Sequence, residues 1–197
     1  MIEMSLIKVY HGSSIDVSSP SLSFGRTNAD FGVGFYVTTD LQMAEKWASR
    51  KKKSIINEYV LNTDNLKVYS FDLNKEWLDY VVANREEKQI EKKYQNFDVL
   101  CGATADDRLF PTIEQYEQGF LNEKWTIRIL NCMKVGEQIC LKTQKALEQL
   151  QFVESVELSK ERVQELKEIN QKERIMSQTL TSEMLRQANG KSKGMSL

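Results

Sequence analysis

The chain contains a single histidine, His11, within Val9-Tyr10-His11-Gly12-Ser13-Ser14. One imidazole excludes chemistry that needs two, whether a His pair on zinc or paired acid–base imidazoles. A functional His11 therefore acts singly, beside glycine backbone and a few polar groups. At a strand end it also reads as a satisfied structural histidine. Further on comes Asp30-Phe31-Gly32-Val33-Gly34-Phe35-Tyr36-Val37-Thr38-Thr39. Strand alternation puts Phe35 and Val37 on one face and Tyr36 on the other. With the apolar pair buried, Tyr36 is expected to face a cleft. Gly32 and Gly34 alone read equally as a plain bulge.

The elements that must position these residues follow from periodicity and turn chemistry. Leu6 to His11 reads as a first strand and Gly34 to Thr38 as a second. Thr39 or Asp40 caps a helix with Leu41, Ala44, Trp47 and Ala48 on one face. Ile55–Leu61 and Leu66–Phe71 read as strands around a Thr63-Asp64-Asn65 turn. Asn74 opens a helix with Trp77, Leu78, Val81 and Val82 inward. Phe97 to Cys101 is a short strand. Pro111 starts a helix carrying Ile113, Tyr116 and Phe120, continued helically from Glu123 to Met133. A strand from Gln138 to Lys142, a short helix capped by Thr143 and a strand from Phe152 to Val156 complete the pattern. No regular β-α-β alternation appears, so the expected fold class is α+β, with a split, mostly antiparallel sheet and flanking helices.

After Ser159 charge rises and aromatics vanish. Val163, Leu166, Ile169, Met176, Leu180 and Met184 form an apolar stripe at helical spacing. The expected organisation is a domain over 1–157 and a C-terminal amphipathic helical extension with a flexible tail over 158–197. The stripe either docks on its own domain or serves a partner.

The 197 residues carry a formal net charge of -1, with 41% hydrophobic and 28% charged residues. No global field draws the chain to nucleic acid or an anionic membrane. The run Arg50-Lys51-Lys52-Lys53 ends a helix, where it complements the dipole. Cys101, Cys132 and Cys140 lack C-x-x-C spacing and read as reduced core thiols. No apolar run approaches a bilayer span, so a cytoplasmic protein with no membrane partner is expected.

A strand ending in His11-Gly12-Ser13, then Phe31-Gly32-Val33-Gly34-Phe35-Tyr36, then an Ala-containing helix resembles an ADP-ribosyltransferase domain. The likeness is to the His–Tyr class that includes diphtheria toxin and the poly(ADP-ribose) polymerases. Glu76-Trp77-Leu78-Asp79, Asn84-Arg85, Phe97-Asp98-Val99, Ala105-Asp106-Asp107 and Gln138-Ile139-Cys140 extend it to a group of bacterial toxin-like members, over roughly residues 8 to 155.

The resemblance implies NAD as substrate and a mono-ADP-ribosyltransferase of toxin-like, bacterial type. It assigns His11, Tyr36 and Gln138 to catalysis, and His11, Gly12, Ser13, Arg26, Gly34 and Tyr36 to NAD. His11 would hold a ribose hydroxyl, Gly12 let backbone approach the carboxamide, and Tyr36 stack on nicotinamide. Arg26 would meet the pyrophosphate through bidentate contacts. The family's third position is usually Glu. Here Gln138 faces the cleft if Ile139 and Leu141 face the core, with Glu137 in reserve. Gln can hydrogen-bond ribose but cannot act as a base, which favours single transfer over polymer elongation.

Asp106 and Asp107 either form a solvated turn or orient the acceptor. No metal is expected, because adjacent carboxylates rarely converge on one ion. The acceptor is a protein or nucleic acid, and a small antitoxin-like protein is expected by family analogy. The alternative is an inactive module of the same fold that binds NAD, ADP-ribose or protein. A small ribonuclease is a further rival, disfavoured by the missing second imidazole.

Overall fold

A computed structural model describes residues 6–24, 27–105, 109–133 and 135–192. Arg26, Asp106 and Asp107 lie outside the described residues. Strands are β1 (Leu6–Ser13), β2 (Phe35–Val37), β3 (Ile55–Asn62), β4 (Val68–Ser70), β5 (Val99–Ala103), β6 (Glu137–Leu141) and β7 (Leu150–Glu157). Helices are α1 (Leu41–Ala48), α2 (Lys75–Arg85), α3 (Phe110–Glu117), α4 (Glu123–Cys132), α5 (Gln144–Glu148) and α6 (Lys160–Ser192). Side-chain oxygens close four helix N-termini: Asp40 on α1, Asn74 on α2, Asn122 on α4 and Thr143 on α5. Each accepts from a backbone N–H that the helix itself cannot pair.

The architecture is α+β, with two sheets. One is antiparallel, in the order β1-β3-β7. The other runs β2-β6-β5-β4 and is antiparallel except for the β4–β5 pair. The sheets pack face to face through Val9, Tyr59 and Leu61 on one side and Phe35, Val37, Val99, Ile139 and Leu141 on the other. Helices α2, α3 and α4 cover the outer face of the second sheet around Trp77, Leu100 and Ile129. Ala44 and Ala48 of α1 pack with Ile56 on the outer face of the first. The two sheets meet edge to edge at a single bridge, Tyr10 to Thr38.

Several elements depart from the sequence expectation. The strands flanking Thr63–Asn65 are present but shorter on the second side, and β3 and β4 belong to different sheets. Asn65 takes φ 61, and the Asp98 carboxylate accepts Lys67 N–H at 2.9 Å, tying the β4 approach to β5. The expected continuous helix after Pro111 is two helices, broken where Gly119 adopts φ 76. Phe120 is consequently 67% exposed and not inward. Tyr80, not Val82, is buried beside Trp77 on α2. Cys140 is buried, but Cys132 is exposed at the end of α4 and is not a core thiol. Among the described residues, no helix is long and apolar enough to cross a membrane.

Helix α6 lies against the rest of the fold. Its inward positions are Leu166, Asn170, Glu173, Ser177, Thr181 and Met184, a run at close to 3.6-residue spacing. Met176 falls about 100° from Ser177 on the helix wheel and is 71% exposed. The docked face is thus apolar at its ends and polar between. Thr181 meets Thr112 of α3, Ser177 donates to the Met133 sulfur, and Asn170 donates to Ser49 beyond α1. Ion pairs fix the near end, Glu45 with Arg162 and Lys46 with Glu173.

This phase predicts that Leu166→Ala, at a fully buried position, costs about 2–5 kcal/mol. Met176→Ala should stay within about 0.5 kcal/mol. Urea denaturation of the two variants checks it; equal losses would mean the helix docks through another face.

Candidate active site

His11 lies near the end of β1, opposite Asn57 on β3. Tyr10 exchanges both backbone hydrogen bonds with Thr38, at 2.8 and 3.0 Å. Its peptide groups therefore point away from β3, and by alternation those of Gly12 point to the same edge. The next carbonyl of β2 beyond the bridge, Tyr36 O, accepts from His11 Nδ1 at 2.7 Å. The imidazole stands where the ladder would otherwise continue. A seam opens between the sheets, lined by His11 and the peptide edge of Gly12.

This contact fixes the ring's protonation. A carbonyl oxygen can only accept, so Nδ1 carries the hydrogen. Burial lowers the His11 pKa from its usual 6.5. The Tyr36 carbonyl opposes that shift, and the charge of Lys51 adds to it. The resting imidazole is neutral, with Nε2 as a hydrogen-bond acceptor. The ring packs on Phe35, with centroids 4.6 Å apart.

Gly12 is dictated by close approach. A Cβ there would lie 2.1 Å from Ala44 O and 2.7 Å from Ala48 N, so α1 sits directly on the strand. Trp47 Cβ is the next neighbour, at 3.0 Å. Gly32 takes φ +72, and a side chain there would meet the Asn84 amide. Gly34 lies against Cys140 and Leu141 of β6.

Tyr36 and Gln138 do share a face of the second sheet, with Cys140 between them in register. It is the outer face, away from the His11 ring. Tyr36 Oη donates to Gly32 O at 2.6 Å and accepts Phe31 N–H at 3.0 Å. Burial raises its pKa strongly. The expected cleft-facing ring is therefore corrected: the phenol pins the turn that precedes its own strand.

Gln138 is 4% exposed, and its Nε2 donates to Asp30 at 2.8 Å and Ala103 O at 3.2 Å. Its expected place in the cleft is corrected too, because β6 is covered on both faces. Glu137, on the opposite face, is exposed at the strand's start and points to the side of Phe35 and His11. The backbone carbonyl of Glu137 accepts Thr38 Oγ1 at 2.8 Å, placing it beside the seam. The Ser13 hydroxyl is bonded to Ile15 O and Asn57 Nδ2 and shapes the loop after β1.

Two residues of this framework escaped the sequence reading. Asp30 is buried and receives Arg85 Nε and Nη2, Ala105 N–H and Gln138 Nε2, at 2.7–3.0 Å. Arg85, at the C-terminal end of α2, reaches across to this carboxylate and to Ala105 O. Asn57, fully buried, bridges Val17 N–H, Ser13 and Ser155. Its signal was a polar residue in phase with Tyr59 and Leu61 on the inward face of a strand. Trp47 was expected on one face of the helix with Leu41, Ala44 and Ala48. It is half-buried and lines a cleft between α1 and α6. Among the described residues, no group of three or more His, Cys, Asp or Glu could hold a metal ion.

Two outcomes follow. Because the folded His11 pKa is depressed, the unfolded chain takes up the proton first as pH falls below 6.5. The stability advantage of wild type over His11→Gln should hold steady above that pH and shrink below it. Urea midpoints across pH 5 to 8 measure this; an advantage that grows in acid would contradict it. Asp30→Asn removes the buried carboxylate that pairs with Arg85 and should cost about 3–5 kcal/mol, read by the same denaturation.

Residues 7–152 match the model of a family described as a protein of unknown function, DUF3990. No curated protein and no solved structure matches the chain. The matched segment starts in β1 and ends in β7, so it contains His11, Gly12, Asp30, Tyr36, Trp47 and Gln138 and stops before α6. The chain belongs to the DUF3990 family.

Proposed function

We propose that the protein is an NAD-dependent mono-ADP-ribosyltransferase of bacterial toxin-like type, with the ADP-ribosyltransferase-like split-sheet fold. The observation that carries this reading is the seam. There a neutral imidazole, held by Tyr36 O, and the peptide edge of Gly12 lie side by side where the two sheets part. The groups there suit NAD: an acceptor nitrogen for a ribose hydroxyl and an amide edge for a carboxamide.

NAD brings a C1′–N bond to a pyridinium, which breaks with the electron pair leaving on nicotinamide, a neutral product. The protein's task is orientation and charge stabilisation, not strong acid catalysis. His11 Nε2 accepts the ribose hydroxyl. Gly12 pairs with the carboxamide through N–H and C=O. Lys51, whose charge is felt at His11, would meet the pyrophosphate. Glu137 lies at the mouth, on the imidazole's side. The acceptor's lone pair forms the new bond to C1′, and its proton passes to the Glu137 carboxylate or to water. Tyr36 acts through its carbonyl, and Gln138 through Asp30, as positioning residues.

One observation favours a second reading, a module that binds NAD or ADP-ribose without transfer: the Gln138 amide is committed to Asp30 and Ala103. Labelled NAD with bacterial lysate separates the two. Nicotinamide release and macromolecular label should fall at least about a hundredfold in His11→Ala. Glu137→Gln should lower transfer while NAD affinity is kept. Binding with no release establishes the second reading, and no binding at all overturns both.

A further inference from the structure

The cleft between α1 and α6 has a volume of about 730 Å³, the size of a small-ligand site. Four cations line it, Lys46, Arg50, Lys167 and Arg174, against two carboxylates, Asp40 and Glu173. Both acids have structural work. Asp40 caps α1 through Gln42 and Met43 N–H, and Glu173 pairs with Lys46 at 2.7 Å. At the end of α1 the exposed Lys51, Lys52 and Lys53 continue the positive surface. Lys51 lies close enough to His11 to lower its pKa. In a chain of net charge -1 this is local segregation, assembled from segments more than a hundred residues apart in sequence.

The α6 face that borders the cleft is polar as well. A helix that served only the core would be apolar along its docked face. Here Leu166 and Met184 are buried, but the face between presents Asn170, Glu173 and Ser177. The first two line the cleft, with Gln171 beside them. Trp47 offers an aromatic surface in the same wall. Stacking ring, side-chain amides and repeated cations together suit bases joined by phosphates. An acidic protein surface would use the cations but not the ring or the amides.

We propose that the α1–α6 cleft and its lysine rim bind a single-stranded nucleic acid, which serves as the ADP-ribose acceptor. The acceptor role rests on the transferase reading; the binding does not. Trp47 lines the cleft and its Cβ lies against Gly12, so the cleft adjoins, across α1, the strand that carries His11. A base nitrogen then forms the bond to C1′ with its lone pair as nicotinamide leaves with the C1′–N pair. The proton on that nitrogen passes to Glu137 or water.

The test uses the full chain and fluorescence anisotropy with labelled RNA and DNA single strands of about 12 nucleotides, and polyglutamate of equal charge. The strands should bind and polyglutamate should bind at least about tenfold more weakly. Lys167→Ala/Arg174→Ala should weaken strand binding about tenfold or more and flatten the log–log salt slope by about 1.4. Its melting temperature and its NAD hydrolysis by water should be unchanged. With labelled NAD, nuclease should remove the label in wild type, and the double variant should lose it.

Absence of strand binding, equal binding of polyglutamate, or strand binding insensitive to the double variant overturns the proposal. Label removed by protease alone overturns its acceptor part. Strand binding without NAD cleavage leaves the cleft standing and removes the transferase reading. NAD cleavage without strand binding does the reverse.

Discussion

The hydrogen bond from His11 Nδ1 to the Tyr36 carbonyl is the constraint on which the rest depends. It occupies the backbone acceptor that β1 would next have paired with, so the sheets part after Tyr10 and Thr38. The same bond decides which imidazole nitrogen keeps its hydrogen, and burial keeps the ring neutral. Strand separation, tautomer and charge therefore follow from one contact. Its net contribution to stability is only about 1 kcal/mol, so it cannot hold the geometry alone. The carbonyl must be presented by a strand that is itself fixed.

That fixing comes from the buried polar group around Asp30. Its carboxylate draws in Arg85 from α2, Ala105 after β5 and Gln138 from β6. Tyr36 Oη and Lys142 Nζ bond the neighbouring Phe31–Gly32 turn. A well-packed apolar cluster would give comparable stability without burying charge. What the carboxylate adds is position. Its bonds have defined directions, so the turn entering β2 has one arrangement and Tyr36 O one location. Gln138 belongs to this scaffold, which explains a Gln at a covered strand position where a base would be desolvated and unpaired.

Much of this was legible in the sequence, and the failures have a common cause. Helix caps at Asp40, Asn74 and Thr143 were readable because each acts within a few residues. The strand around Tyr36 and its alternation were readable for the same reason. Alternation says which residues share a face, and it placed Tyr36 with Gln138 correctly. It does not say what covers that face. Both faces of the second sheet are packed, one by the first sheet and the other by helices. "Not with the apolar neighbours" therefore meant a second interior and not a cleft. Asp30 and Arg85 lie far apart in sequence, and nothing local ties a loop carboxylate to a helix-end guanidinium. The apolar stripe of α6 was read one residue out of phase at Met176, because its inward positions include Glu173 and Ser177, which hydropathy counts as outward.

Helix α1 joins the two concave features. One side, Ala44 and Ala48, rests on Gly12 so closely that no side chain fits between them. The other side, through Lys46, Ser49 and Arg50, faces α6 across the cleft. Trp47 stands between, touching Gly12 and the cleft wall. A rigid helix eight residues long cannot shift on one side without shifting on the other. The strand that carries His11 and the wall of the cleft are thus held by the same helix, with α1 between them.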